Sequence, residues 1–166
     1  MSKKLMIVHA ITIDPDSNSP ILLLKEKDGD KTLPIWIGIL EAAAIATEME
    51  KIQFSRPMTH DCIINVLNAV NARVPKIEIT ELKDNTYYAL LTIQTGDKEM
   101  QVDARPSDAV AIALRANSAI FVNDTVLNKA VPQNETIAES EELTEEKKKW
   151  ADILEEMDPA SYKYKI

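Results

Sequence analysis

The feature that most constrains this sequence is an internal duplication. When the chain is shifted by 67 positions, residues 22–49 align without a gap with residues 89–116, and nine of the 28 positions are identical. Self-similarity at a fixed offset is the signature of a repeated structural unit. We therefore expect one fold built from two similar halves.

Each copy shows the same order of local signals. An apolar strand runs into a Gly-Asp turn, at Gly29 in the first copy and Gly96 in the second, which is typical of a β-hairpin. A short second strand and an alanine-rich helix follow. Another strand candidate precedes each copy, at residues 5–13 and 76–82. Each half is therefore predicted to contain three strands and a helix.

An additional helix is predicted between the halves, at residues 59–72, with Ile63, Leu67 and Val70 as its apolar stripe. The alternation of hairpins and helices indicates an α+β fold with a mostly antiparallel or mixed sheet and Ala-rich helices. We expect the two halves to pair about a pseudo-two-fold axis. The Ala-rich helices would then meet each other or lie on the sheet.

The chain divides into three parts by composition. Residues 1–130 hold the repeat and form the predicted folded domain, residues 131–142 form an acidic linker, and residues 143–166 form a C-terminal helix and tail. Four apolar residues of the tail have the spacing of an amphipathic helix: Trp150, Ile153, Leu154 and Met157. We expect this helix to dock on its own domain or on a second subunit.

Charge is distributed unevenly along the chain. The net charge is −8, but residues 135–158 alone hold ten acidic residues and three lysines, a net of −7. The overall charge argues against broad electrostatic attraction to nucleic acid or to anionic lipid. The body of the chain is close to neutral, which leaves room for a local basic site.

Three further features bear on location. No stretch approaches 18 consecutive apolar residues, so no membrane span is expected. The N-terminal apolar run alternates and meets Asp14, which is typical of a strand rather than a signal peptide. Cys62 is the single cysteine, so no internal disulfide can form, which fits a reducing compartment. We expect a soluble, cytoplasmic protein.

Comparing the two copies helps to distinguish structural residues from candidate site residues. Features common to both copies are expected to be structural. Glu41 and Asp108 correspond, and each opens a helix, where a negative charge is favoured by the helix dipole. A polar set belongs to the second copy alone: Asp103, Arg105 and Ser107 stand where the first copy has Trp36, Gly38 and Leu40. Ser107 is also a good helix N-cap, and Asp103 is either solvated, paired with Arg105, or part of a site.

A second motif, "RPMTHD" at residues 56–61, repeats the Arg-Pro, hydroxyl and acid pattern at a helix start. Thr59 is the predicted N-cap. A helix N-terminus beside Arg56 favours anions such as phosphate. His60, near Asp61, is either a general base, a metal ligand or a surface histidine. The spacing matches no standard zinc site, and the sequence contains no P-loop, GxGxxG or GxSxG motif.

In this order and spacing, "LPIWIG…EA…IA", "RPMTHD" and "DARPSDAVAIALRA" resemble the bifunctional nuclease family over roughly residues 5–130. The end of the chain, "ILEEMDPASY", resembles the tails of bacterial members. The family takes its name from members described as degrading both RNA and DNA. The resemblance therefore implies a nuclease that hydrolyses phosphodiester bonds, with nucleic acid as its substrate.

Phosphodiester hydrolysis requires an activated water, charge neutralisation on the phosphate and help for the leaving oxygen. Our candidate catalytic residues are Asp103, His60, Asp61 and Asp108. Our candidate phosphate-binding residues are Arg105, Arg56, Arg115, Ser107 and Thr59. Asp103 and Asp108 are the candidate ligands for Mg²⁺ or Mn²⁺, and no organic cofactor is expected. Asp108 and Arg115 are seven residues apart, which places them on one helix face about 10 Å apart along the axis.

Two other functions fit the same residues. The chain could be a non-catalytic or regulatory module that binds a phosphate-bearing ligand at the two Arg-Pro helix starts, or a purely structural interaction domain. The nuclease hypothesis requires that "RPMTHD" and "DARPSD" converge on one cleft. The Ala-rich duplicated fold and the apolar tail helix also predict a homodimer.

Overall fold

The computed structural model describes residues 2–130 of the chain. Within this range the chain forms one mixed sheet of seven strands together with four helices, which confirms the predicted α+β class. No helix among these residues combines the length and the apolarity that crossing a bilayer requires. The predicted acidic linker at 131–142 and the predicted helix and tail at 143–166 lie outside the described residues.

The two halves have the same succession of elements. The first half is β1 (Lys3–Ile13), β2 (Pro20–Glu26), β3 (Thr32–Trp36) and α1 (Ile39–Met49). The linking helix is α2 (Thr59–Ala69). The second half is β4 (Ala72–Lys83), β5 (Thr86–Thr95), β6 (Lys98–Ala104) and α3 (Pro106–Ala116). Both ends of α3 lie 67 positions after those of α1, so the duplication in sequence is also a duplication in structure.

The sheet is arranged symmetrically around a strand that the repeat does not include. Its order is β3-β2-β1-β7-β4-β5-β6, where β7 is Ala119–Asn123 and is followed by α4 (Asp124–Ala130). β7 runs antiparallel to β1 and parallel to β4, so β1 and β4 run opposite to each other. This opposition, together with the contact between α1 and α3, agrees with the predicted two-fold pairing of the halves.

β7 and α4 are the elements that the sequence patterns do not predict. The apolar run at residues 119–122 is only four residues long, and periodicity cannot classify so short a run. Val122 on β7 and Val126 and Leu127 on α4 are almost completely buried. These elements therefore complete the core where the two repeated halves meet.

The core lies between the sheet and the Ala-rich helices. Small side chains on α1 and α3 are buried at equivalent positions, Ala42 and Ala109, Ala46 and Ala113. They allow the helix backbones to approach closely, while Leu and Ile side chains of the strands fill the sheet side. Each fully buried Leu or Ile contributes about 1.5–3 kcal/mol relative to an exposed one.

The linking helix α2 differs from its prediction in length and in burial. It ends at Ala69 rather than at residue 72, because Asn71 adopts a left-handed conformation with φ of 55° and Ala72 already belongs to β4. None of its residues is buried, and Val66 and Val70 are each 58% exposed. Of the predicted apolar stripe, Leu67 packs against the core, whereas Ile63 and Val70 are exposed.

The two predicted N-caps are also wrong by one or two residues. The N-cap of α2 is Met58 rather than Thr59, and the Asp61 side chain accepts a hydrogen bond from the Met58 N–H at 2.9 Å. The N-cap of α3 is Arg105 rather than Ser107. Pro106 occupies the first helical position, where its missing N–H costs nothing, and this starts the helix earlier. Ser107 is consequently buried within the first turn.

Candidate functional site

The two Arg-Pro motifs meet in the folded chain. His60 Nε2 lies 3.0 Å from Asp108 Oδ1, although the two residues are 48 positions apart. Arg115 Nε donates a hydrogen bond of 2.6 Å to Asp61 Oδ1 across 54 positions. The two motifs are therefore in contact, and the cleft that the nuclease hypothesis requires stays a prediction.

The packing of α2 on α3 produces both contacts. His60 and Asp61 are consecutive residues in the first turn of α2, and α2 contacts α3 directly. Asp108 lies in the first turn of α3 and Arg115 in its last turn. A single turn of α2 thus reaches both ends of α3, so the position of His60 depends on the packing of the two helices.

A hydrogen-bonded network extends from His60 to the first repeat. Arg105 donates to Asp108 Oδ2 from Nε at 2.6 Å and to Glu41 Oε1 from Nη1 at 2.7 Å. We call the set His60, Asp108, Arg105 and Glu41 the site network. It joins the first turns of α2, α3 and α1, and it brings together three of the predicted site residues with one that was not predicted.

Glu41 is the residue that sequence reasoning missed. It was interpreted only as a charge favoured at a helix start, because it corresponds to Asp108 in the repeat. That same correspondence was the available signal, since a pseudo-two-fold axis between α1 and α3 brings the equivalent positions 41 and 108 close together. Arg105 binds both carboxylates, one from each half.

Gly38 provides the space that Glu41 occupies. Its φ of −77° is accessible to any residue, so no special backbone conformation requires glycine here. A Cβ atom at this position would instead overlap the Glu41 carboxylate. Gly38 corresponds to Arg105 in the repeat, so the two halves supply complementary parts of the contact, a side chain in one and room for its partner in the other.

The charge state of Asp108 follows from its surroundings. Burial acts to raise the pKa of Asp108, but the hydrogen bonds from Arg105 and His60, and the charges of these side chains, outweigh burial and hold the pKa below its usual 3.8. An ionised carboxylate can only accept hydrogen bonds, so His60 Nε2 must be the donor. In neutral His60 the other ring nitrogen, Nδ1, is then an acceptor.

Arg115 clamps the three helices together. Its side chain is only 6% exposed, and its Nη1 donates to the carbonyl oxygens of Ala44 on α1 and Ala111 on α3, each at 3.0 Å. Burial acts to raise the pKa of Asp61, but the hydrogen bond from Arg115 and the one from the Met58 N–H lower it overall. Nε and Nη1 of Arg115 are therefore engaged by acceptors of the protein itself. Phosphate binding by Arg115 stays a prediction.

The remaining predicted site residues do not join the site network. Arg56, Thr59 and Asp103 are exposed and make no side-chain hydrogen bond or ion pair with any residue in 2–130. Asp103 lies on β6, the edge strand of the sheet, two residues before Arg105. Ser107 is only 6% exposed. The structure thus unites His60, Asp108, Arg105, Asp61 and Arg115, and leaves the other four separate.

The described residues do not form a metal centre. Nowhere in residues 2–130 do three or more His, Cys, Asp or Glu side chains approach closely enough to hold a metal ion. Both oxygens of Asp108, one of the two predicted metal ligands, are already bonded to His60 and Arg105. The donor set therefore does not fit a preformed Mg²⁺ or Mn²⁺ site, and a metal requirement stays a prediction.

Acid is expected to destabilise the fold through Asp61 and Asp108. Their pKa values are lowered in the folded state, so the unfolded chain binds more protons as the pH falls. Their contribution is complete above the ordinary aspartate pKa of 3.8 and is lost as the pH falls through the lower folded values. Urea unfolding of the wild type and of Asp108→Asn tests this. The difference between their free energies of unfolding should shrink from pH 6 to pH 3. A constant difference would show that ionised Asp108 does not stabilise the fold.

Comparisons with known proteins identify the family. The model of the bifunctional nuclease domain matches residues 22–135. An uncharacterized protein of Mycobacterium tuberculosis is 38% identical over 160 residues, which cover 94% of this chain and 96% of the relative. Bifunctional nuclease 2 of Arabidopsis thaliana and the bifunctional nuclease of Oryza minuta are each 29% identical over 106 residues, which cover 61% of this chain.

The two kinds of relative differ in how much of them this chain spans. It covers almost the whole mycobacterial protein but only 32% of each of those two plant nucleases. The similarity to the plant proteins thus concerns the domain and not their whole length. The domain match extends over more than half of the chain and includes both Arg-Pro motifs and the complete site network. This chain belongs to the bifunctional nuclease domain family.

Proposed function

We propose that this protein is a nuclease that hydrolyses phosphodiester bonds of both RNA and DNA at the site network. The observation that carries the proposal is the hydrogen bond between His60 and Asp108, which joins the two Arg-Pro motifs. Membership of the bifunctional nuclease domain family supports it, as does the name of the plant relatives.

His60 is the proposed general base. Asp108 accepts the Nε2–H proton and keeps the imidazole in the tautomer whose Nδ1 is unprotonated. The His60 side chain is only 13% exposed, but within residues 2–130 Nδ1 has no hydrogen-bond partner, and we propose that an attacking water gives up its proton there. The pair then works as a carboxylate-oriented histidine, with Asp108 stabilising the imidazolium that forms.

Arg105 is the proposed phosphate-binding residue. Its side chain is 66% exposed, although Nε and Nη1 are held by Asp108 and Glu41. These two contacts fix the plane of the guanidinium and leave Nη2 for a phosphate oxygen. Arg56, exposed four residues before His60, and the hydroxyls of Thr59 and Ser107 complete the proposed phosphate-binding set.

Asp103 is the proposed second carboxylate. It is exposed at the end of edge strand β6 and has no partner within residues 2–130, so its oxygens are available to substrate, water or a cation. Asp103 would be the protein ligand of a Mg²⁺ or Mn²⁺ ion, since Mg²⁺ is commonly held by one or two carboxylates plus substrate phosphates, and Asp108 could join it only by giving up its hydrogen bond with Arg105 or His60. The role of the ion would be to neutralise phosphate charge and activate water.

The second candidate is a module that binds a phosphate-bearing ligand without cutting it. It is favoured by the ion pairs of Asp61 and Asp108, because carboxylates engaged by arginines are poorly placed to hold a metal. Arg105 would then serve as an anchor for the ligand. Binding without product formation separates this module from the nuclease.

The test uses 5′-labelled single-stranded RNA and DNA of the same sequence, with Mg²⁺, with Mn²⁺ and with excess chelator. We expect the wild type to cut both strands, and Asp103→Ala to lose cutting while its melting temperature stays near that of the wild type. Asp97→Ala, in the exposed turn before β6, is the matched control. Cutting at the wild-type rate by Asp103→Ala would remove Asp103 from the reaction.

The chelator arm and a preparation test complete the experiment. Loss of cutting with chelator, and recovery on adding Mg²⁺ or Mn²⁺, would establish the metal requirement, whereas undiminished cutting would contradict it. If repeated preparations free of contaminating nuclease cut neither strand but are stabilised thermally by nucleotides, the nuclease proposal is wrong and the binding module is right.

We also propose that the protein is a homodimer and acts in the cytoplasm. A second copy would cover the outer side of α2, where Val66 and Val70 are more than half exposed. Light scattering of the purified protein measures the mass that tests this. The free thiol of Cys62 is exposed, which suits a reducing compartment.

A further inference from the structure

Trp36 is an exposed aromatic ring with a fixed orientation. It ends β3 and is 55% exposed, and the exposed side chains of Ile39 and Leu40 follow it at the start of α1. Its indole Nε1 donates a hydrogen bond of 3.2 Å to Asp14 Oδ2, and Asp14 also accepts one from the Ser17 hydroxyl. The ring is therefore oriented at its edge while much of its surface stays open to solvent.

This ring is close in sequence to the site network. Four residues lie between Trp36 and Glu41, so their Cα atoms are at most about 18 Å apart. Glu41 in turn contacts Arg105 at 2.7 Å. In the repeat, Trp36 takes the position that Asp103 has in the second half, so the two residues flank the adjoining helix starts. A strand of a few nucleotides bound at Arg105 would reach the ring.

We propose that Trp36 is a stacking platform for one unpaired nucleobase of the nucleic acid strand, with Ile39 and Leu40 as its apolar border. The inference rests on the proposed nuclease function and names a subsite for it. Every base has a π face, so stacking on an aromatic ring tolerates any sequence. Stacking also does not read the 2′-hydroxyl that distinguishes RNA from DNA. Such a subsite suits an enzyme that accepts both RNA and DNA.

A nucleobase fits this patch better than a second copy of the chain does. A stable dimer buries about 800 Å² on each partner, and one large aromatic side chain contributes about 150–250 Å² even when it is wholly buried. The exposed parts of Trp36, Ile39 and Leu40 could supply only part of that area, so a second copy would have to bury further surface around them. One flat base, in contrast, needs only the ring and its border.

Tryptophan emission tests the proposal on the full-length chain. The sequence contains two tryptophans, so Trp150→Phe leaves Trp36 as the only emitter. This variant is titrated with single-stranded DNA whose phosphorothioate linkages slow cutting, and with a matched strand that carries abasic positions. We expect the intact strand to quench the emission and the abasic strand to bind about 5- to 150-fold more weakly, the factor that one stacked base is worth.

Two variants complete the test. Trp36→Ala should weaken binding and raise KM by a similar factor while kcat changes little, and Trp36→Phe should retain most of the affinity because it keeps a stacking ring. If intact and abasic strands bind Trp36→Ala and the wild type equally while cutting continues, stacking is wrong and the nuclease stands. If the wild type neither binds nor cuts, both proposals fail. If Trp36→Ala halves the molar mass without nucleic acid, the ring covers a second copy and the stacking proposal is overturned.

Discussion

Replacing His60 by glutamine is expected to lower the rate of phosphodiester hydrolysis by about 10²- to 10⁴-fold, the usual contribution of a positioned general base. Glutamine can still donate an N–H to Asp108, so the link between α2 and α3 is retained. It has no nitrogen that can accept a proton from water. The loss should therefore appear in kcat, measured on a labelled oligonucleotide, with little change in the melting temperature.

The second histidine of the chain provides the matched control. His9 lies on β1, is only partly exposed and makes no hydrogen bond or ion pair with the site network. His9→Gln should cut at close to the wild-type rate. A wild-type rate in His60→Gln would remove His60 from the reaction, and an equal loss in His9→Gln would assign the effect to the fold instead.

Replacing Arg115 by methionine is expected to lower the free energy of unfolding by about 2–3 kcal/mol. Methionine keeps much of the apolar stem but leaves the Asp61 carboxylate without its guanidinium and the Ala44 carbonyl without its donor. Because Asp61 is 37% exposed, water compensates part of the loss, and the cost stays below that of a fully buried pair. Urea unfolding monitored by circular dichroism measures it.

Arg56→Met is the matched control, because Arg56 is exposed and has no partner within residues 2–130. Its stability should change by no more than about 0.5 kcal/mol. A double-mutant cycle with Asp61→Asn should show coupling between positions 61 and 115, since the two side chains are bonded. Absence of coupling, or a stable Arg115→Met protein, would contradict the clamping role.

Arg115→Met also tests whether Arg115 affects the reaction by holding His60 in position. Arg115 holds the first turn of α2, which carries His60, so loosening this contact should reduce kcat through the position of His60. Arg115→Lys should restore little, because a single ammonium cannot donate to Asp61 and two carbonyl oxygens in the geometry of a guanidinium. Retained activity in a destabilised Arg115→Met protein would show that His60 is positioned by other contacts.

Local patterns predicted most of the fold because each repeated unit is specified within about 30 neighbouring residues. The turns at Gly29 and Gly96 and the Ala-rich runs predict hairpins followed by helices, and the structure confirms them. β7 was missed because its apolar run is short. The caps of α2 and α3 were misplaced because Asp61 and Pro106 compete with the hydroxyl residues for the start of the helix.

The candidate site was predictable in its residue types but not in its contacts. The comparison of the two copies pointed to Asp103, Arg105 and Ser107, of which the site network includes only Arg105. Glu41 was interpreted as architectural because it is equivalent to Asp108 in the repeat. The two-fold arrangement brings these two equivalent carboxylates together, and Arg105 binds both. A pattern within one sequence shows which positions are equivalent, but not which equivalent positions meet in space.

The sequence by itself therefore determined the duplicated architecture, because hydrogen bonding in hairpins and helices and the spacing of apolar side chains are local. Only the tertiary structure decided that His60 meets Asp108 and that Arg115 is buried against Asp61. These contacts join residues 48 and 54 positions apart and depend on how α2 packs on α3. The exposure of α2 and Trp36 was likewise decided there, since burial depends on which neighbours the rest of the fold supplies.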